Sequence, residues 1–186
     1  YHTDQIKMKS YLNAQKAAPP RITSRQIRLL ERLCNACGVS GDEGEVRAIV
    51  LEQIRPIADD IRVDALGNVL AVRRSKRADV NNKPLRVMIA AHMDEVGVMI
   101  TRDEGGGIFR FQTVGGVDGS SLAGKPVWIV HSRQPGVIGM NPIHLTSAID
   151  RNRKIDPGDL RIDVSPDCAE KVKVGDRATF ATAFSR

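Results

Sequence analysis

Three shortages narrow what this chain can be. It has three cysteines in 186 residues, a low count for a disulfide scaffold and an odd one that cannot pair completely, so a reducing compartment and a cytoplasmic location are expected. No apolar run approaches the roughly 20 residues that cross a bilayer. The first twenty residues are polar and basic, begin at Tyr1 rather than Met, and lack the apolar stretch of an export signal. Aromatic residues are 4% of the chain, and none interrupts its most basic run, Arg73-Arg74-Ser75-Lys76-Arg77. The formal charge of +6 therefore lacks the motif and aromatic interleaving of a nucleic-acid surface, and that run, with Asn81-Asn82-Lys83 after it, reads as a solvated loop. Neither a membrane nor a nucleic acid is an expected partner.

With 41% hydrophobic residues, a chain of this length can bury a core and allows one or two domains. Ile27, Leu30, Cys34 and Cys37 recur at helical spacing, which predicts a helix from Ser24 to Cys37 with Gly38 as a left-handed stop. Cys34 and Cys37 form a Cys-x-x-Cys, but inside a helical pattern and with no second pair, so packing explains them better than redox or zinc chemistry. Ser40-Gly41-Asp42-Glu43 has the form of a capping box for a second helix carrying Val46, Ile49, Val50 and Ile54 on one face and ending near Pro56. Ile61 to Val63 and Val69 to Val72 then predict a hairpin. Its turn, Asp64 with Leu66-Gly67-Asn68, has tight-turn chemistry and is assigned to structure before site.

The most informative stretch follows. Leu85 to Ala90, preceded by Pro84, is apolar and β-rich and reads as a central strand leading into Ala91-His92-Met93-Asp94-Glu95. Residues two apart share a face of a strand, so His92 and Asp94 point the same way and Glu95 the other. In open α/β sheets ligands bind at that end of the strand. A His with a carboxylate two residues on suits a metal ligand whose tautomer is fixed by the acid; a solvated polar strand end is the plainer alternative. Beyond Gly97 the pattern changes to short β-rich runs broken by glycine and proline: Val98 to Thr101, Ile108 to Thr113, Val127 to Val130, Val137-Ile138 and Ala178 to Ala181. These predict a small barrel or sandwich. Gly105-Gly106-Gly107 opens no helix and reads as a hairpin turn rather than a phosphate loop. Trp128 is expected in the core, and His2 and His131 show no partner pattern.

Taken in order, Gly38-Val39-Ser40-Gly41-Asp42-Glu43, Ala91 to Gly97, Gly136-Val137-Ile138-Gly139 with Pro142 and His144, Ile162-Asp163-Val164 and Val174-Gly175-Asp176 resemble the glutamyl aminopeptidase family of dinuclear metallopeptidases, which includes the tetrahedral (TET) aminopeptidases. The resemblance spans about Ile27 to Phe180. It implies an α/β fold: a polar extension at residues 1–22, the start of a metallopeptidase-type catalytic domain at 23–96, an inserted small β-barrel dimerisation domain at 97–181, and the return toward the catalytic domain at 182–186. It implies a metal-dependent aminopeptidase that removes N-terminal residues from peptides, using two divalent ions, zinc or cobalt, per full-length subunit. His92 would ligate one ion, and Asp94, the catalytic candidate, would orient His92. Family members assemble from dimers into dodecamers, so a homo-oligomer is expected. The family's other ligands and its Glu pair have no counterpart in these residues, and His144 has no assigned role there. The sequence thus reads as the N-terminal half of an enzyme, inactive alone. Two alternatives stand beside this: another hydrolase on the same scaffold, such as an endoglucanase-labelled relative or a deacylase, and a non-catalytic assembly or peptide-binding module.

Overall fold

Thr23 and Gln26 open the first helix, α1 (Ser24–Asn35), by capping each other. The Gln26 amide donates to Thr23 Oγ1 at 3.3 Å, and the Thr23 amide donates to Gln26 Oε1 at 2.8 Å, which satisfies two otherwise unpaired donors. The computed structural model describes residues 21–75, 86–140 and 155–185. Lys76, Arg77, Asn81 to Leu85, Pro142, His144 and the extension before Arg21 lie outside them. The chain divides into two units between Arg32 and Leu33. Within the second, Gly38 is not the left-handed stop expected, since it is absent from the positive-φ glycines. Its small size is what the fold uses: a Cβ there would lie 2.8 Å from Val46 Cγ2 and 3.0 Å from the Met93 carbonyl oxygen.

The second helix, α2 (Gly44–Ile54), does not start with the expected capping box. Glu43 takes the N-cap position without a side-chain cap bond, and its Oε1 accepts instead from the Gly41 amide at 2.6 Å. Ser40 turns to a partner far along the chain. The half-buried Val46, Ile49, Val50 and Ile54 follow the expected stripe, and the helix stops before Pro56. β1 (Asp60–Val63) and β2 (Val69–Val72) pair antiparallel, Asp60 opposite Val72 and Val63 opposite Val69. Asp64 closes the turn by accepting from the Leu66 and Asn68 amides at 3.0 and 2.9 Å and from Asn68 Nδ2 at 2.9 Å, an Asx-type turn.

In the described part of the expected central strand at Leu85 to Ala90, residues 86–90, no strand forms. Residues 86–94 carry no strand, and Val87, Met88 and Ile89 are 74%, 90% and 91% exposed. An apolar run becomes a buried strand only between neighbours that pair with its backbone, and among the described residues β1 and β2 pair only with each other.

From Gly97 the chain closes into a six-stranded barrel, in the order β3 (Gly97–Asp103), β4 (Ile108–Val114), β7 (Arg161–Val164), β6 (Gln134–Gly139), β5 (Pro126–Ile129), β8 (Arg177–Phe180) and back to β3. The paired neighbours run antiparallel. Alternate residues fill it: Val98 and Ile100, Phe109 and Phe111, Val127 and Ile129, Ile138, Ile162 and Val164 are buried, with Leu122 and Leu160 from the connecting segments joining the same core. β7 is a strand that the runs of β-rich residues did not single out. Trp128, expected inside, is 39% exposed, because Val127 and Ile129 on either side of it take the inward positions. The triglycine turn joins β3 to β4 as expected. No helix among the described residues is long and apolar enough to cross a membrane.

Candidate functional site

A parallel bridge between Val39 and Glu95 sets the site's framework. The Glu95 amide donates to the Gly38 carbonyl at 2.7 Å. Glu95 Oε1 then accepts from Thr179 Oγ1, on β8 of the barrel, at 2.6 Å and from the Gly38 amide at 3.3 Å. Glu95 is thus a fastener between the His92 segment and the barrel. Asp94, one residue earlier, turns the other way: Oδ2 accepts from the Ser40 hydroxyl and Oδ1 pairs with His92 Nδ1 at 2.9 Å. The hydrogen bond from Ser40, and after it that from His92, hold the Asp94 carboxyl below the usual carboxylate range.

His92 and Asp94 line a cleft of about 570 Å³ together with Glu43, Leu66, Gly67 and Asn68. The turn assigned to structure therefore also lines this cleft: Asp64 ties it, and Leu66, Gly67 and Asn68 share the lining with His92. Hydrogen bonds from Asn68 lower the Asp64 carboxyl, and Arg47 Nη1 donates to the Gly67 carbonyl at 3.3 Å, bracing the turn against α2.

The donor set bears on metal binding. His92 is highly exposed, and with Nδ1 engaged by Asp94 its Nε2 is the nitrogen left for a metal, the arrangement in which a carboxylate fixes a ligating imidazole. Among the described residues no group of three or more His, Cys, Asp or Glu converges. The residues present fit one ligand position of a metal centre and do not make up a whole one. The cysteines do not add to it. Cys37 is buried and its thiol is pushed up, chiefly by burial, the opposite of what a thiolate ligand needs.

Sequence reasoning missed two side chains that tie this region together and one ion pair outside the cleft lining. Ser40 carried a signal, its motif, but read as a helix cap. Thr179, the buried polar residue of the barrel, carried none. His131 Nε2 lies 3.2 Å from Asp42 Oδ2, a pairing 89 residues apart that no local pattern announces.

Residues 67–186 match the M42 glutamyl aminopeptidase family. The chain belongs to that family. Among M42 relatives it is similar to the lysyl aminopeptidase of Pyrococcus furiosus, at 30% identity over 167 residues, 85% of this chain and 46% of the relative. Its structure is similar to the TET aminopeptidase from a marine sediment archaeon, Thaumarchaeota archaeon SCGC AB-539-E09, with TM-score 0.74 and 32% identity over 86% of this chain and 45% of that one. It is also similar to the Pyrococcus horikoshii TET1 peptidase, described as assembling into a tetrahedron or a large octahedral shell, with TM-score 0.68 and 33% identity over 86% of this chain and 47% of that one. The chain spans less than half the length of the curated relatives it matches.

Proposed function

We propose that this chain supplies the His92 side of the active site, and the barrel, of a metal-dependent M42 aminopeptidase that cuts N-terminal residues from peptides. The observation that carries the reading is the His92–Asp94 pair, bonded at 2.9 Å on the wall of an open cleft, in a chain of this family. His92 would hold a divalent ion, zinc or cobalt, through Nε2. Asp94 would keep Nδ1 protonated and the ring turned toward the cleft. Two such ions, when bound, polarise a scissile carbonyl and lower the pKa of a bound water. One imidazole falls short of the three or four protein ligands that zinc sites use, so the remaining ligands and the general base are assigned to residues other than those described. Glu95 is not assigned as that base, because Oε1 is bonded to Thr179 and Gly38, which ties the side chain to the barrel rather than to the His92–Asp94 pair.

The barrel is proposed as the self-association surface of a homo-oligomer. On the outer face of β5 and β6, Pro126 lies opposite Val137 and Trp128 opposite Pro135, all four exposed. That leaves an apolar strip on a closed barrel, the kind of patch that marks a protein contact. The test of function is an assay of the full-length protein on aminoacyl anilides and on the same peptides with blocked N-termini. Release from free N-termini only, abolished by a chelator and restored by zinc or cobalt, is expected. Equal cleavage of blocked peptides, or activity indifferent to chelation, contradicts the proposal.

A further inference from the structure

We infer that Ser40 is a positioning residue for His92, acting through Asp94; the inference rests on His92 being the metal-side residue proposed above. Ser40 and Asp94 are 54 residues apart in sequence, yet the hydroxyl reaches Asp94 Oδ2. A serine of this motif has a nearer use, capping the helix that begins four residues later, and the structure forgoes it: α2 has no side-chain cap from Ser40 or Glu43. The hydroxyl is held where it is from both sides. Val39, before it, is fully buried and bridged to Glu95. After it, the Asp42 amide donates to the Val39 carbonyl at 2.8 Å and closes a tight turn. The Ser40 carbonyl accepts from Arg177 Nε, on β8, at 3.3 Å, so the barrel also grips this loop.

The chemistry follows from donor counting. An ionised carboxylate only accepts. Ser40 donates to one oxygen, and the other, Oδ1, is left facing His92 Nδ1 at 2.9 Å. Rotation of the Asp94 carboxylate would break the bond to the hydroxyl, so Ser40 restricts it to the rotamer in which Oδ1 accepts from Nδ1–H. Histidine then carries its proton on Nδ1 and presents a bare Nε2. With the hydroxyl removed, the Asp94 carboxylate keeps only its own backbone amide beside His92, on an exposed surface, and selects the tautomer less strongly. Ser40 touches neither metal nor substrate; it sets which nitrogen of His92 is available.

The test is nitrogen NMR of the ring of His92 in the 186-residue chain, on the alkaline plateau where the ring signals no longer change with pH. Ser40→Ala, Ser40→Thr and Asp94→Asn are compared with the parent, and backbone spectra of each confirm an unchanged barrel. The parent should show predominantly the Nδ1–H tautomer. Ser40→Ala should shift the tautomer ratio toward Nε2–H by about two- to tenfold, the range set by one net hydrogen bond. Ser40→Thr should restore it, and Asp94→Asn should shift it at least as far as Ser40→Ala. Parent-like shifts in Ser40→Ala alongside a clear change in Asp94→Asn overturn the role of Ser40, as does failure of the threonine to rescue. Adding zinc to the metal-free full-length protein, where the remaining ligands are expected, reads the underlying proposal separately. If the His92 signals ignore zinc, the metal assignment falls, while the tautomer comparison still decides whether Ser40 positions the ring.

Discussion

Gly107→Ala should be among the most damaging single-methyl additions in the barrel. A Cβ at Gly107 would sit 2.1 Å from the Val164 carbonyl oxygen and 3.5 Å from the Pro166 nitrogen, and both obstacles are backbone that cannot swing aside. The residue also has φ +87°, where an L side chain costs roughly 1–2 kcal/mol. Relieving the contact means displacing β7, whose Val164 amide donates to the Gly107 carbonyl at 2.9 Å; losing that bond costs about 0.5–1.5 kcal/mol. Forcing an extra methyl into a packed site adds about 1–3 kcal/mol. Together these come to about 2.5–6.5 kcal/mol, or roughly 5–25 °C in Tm for a chain of this size. Gly106→Ala, one residue away, provides the control. Its φ is also positive, +62°, but nothing lies within 4 Å of the added Cβ, so only the backbone strain remains and about 1–2 kcal/mol is expected. Urea melts of the two variants read the difference directly. Equal destabilisation would refute the close packing of this turn on β7, and with it the reason the loop carries glycine at its last position.

In the full-length protein, Asp94→Asn should keep the fold and lose about 10–100-fold in metal affinity or turnover, the usual scale for a residue that orients a ligand; unchanged values would remove its orienting role. Hydrogen bonds from Arg161 at 2.7 Å, and after it from Arg110, hold the Glu104 carboxyl below its ordinary 4.5. A carboxyl lowered on folding adds stability that is full above that ordinary value and is lost as pH falls through the lowered one. The gap in Tm between the parent and Glu104→Gln should therefore be widest at neutral pH and shrink as pH falls below 4.5; a gap that widens in acid would contradict the pairing. Hydrogen exchange on this chain should find residues 86–94, which have no strand partner among the described residues, exchanging fastest, and the amides of Ile138 and Val164, bonded to Lys125 and Gly107, among the slowest. The reverse order would place the stable part of the molecule wrongly.

The sequence made the barrel legible because a closed barrel writes its inside and outside into alternate residues. Val98 and Ile100, Phe109 and Phe111, and Val127 and Ile129 announce themselves this way. β7 escaped because its two inward residues, Ile162 and Val164, alternate with charged Arg161 and Asp163, too short a pattern to stand out. Trp128 misled because it lies in an apolar strand, whereas Val127 and Ile129 take the inward positions and fix it on the outer face. At Leu85 to Ala90 the composition reported a tendency to be buried on both faces, but composition carries nothing about which strands are present to pair. The His92–Asp94 pair was legible from spacing, since two residues apart is contact distance for short side chains on one side of the backbone. Ser40 and Thr179 were not: each serves an acceptor more than fifty residues away, and a local motif can name the donor but not so distant a partner.

The most direct test of His92 as a metal ligand, the role proposed for it, is the metal content of full-length His92→Ala, measured with its aminopeptidase turnover. Loss of one equivalent of zinc or cobalt per subunit, with most of the activity and no loss of folded barrel, is the predicted result. Full metal occupancy with undiminished turnover would contradict it.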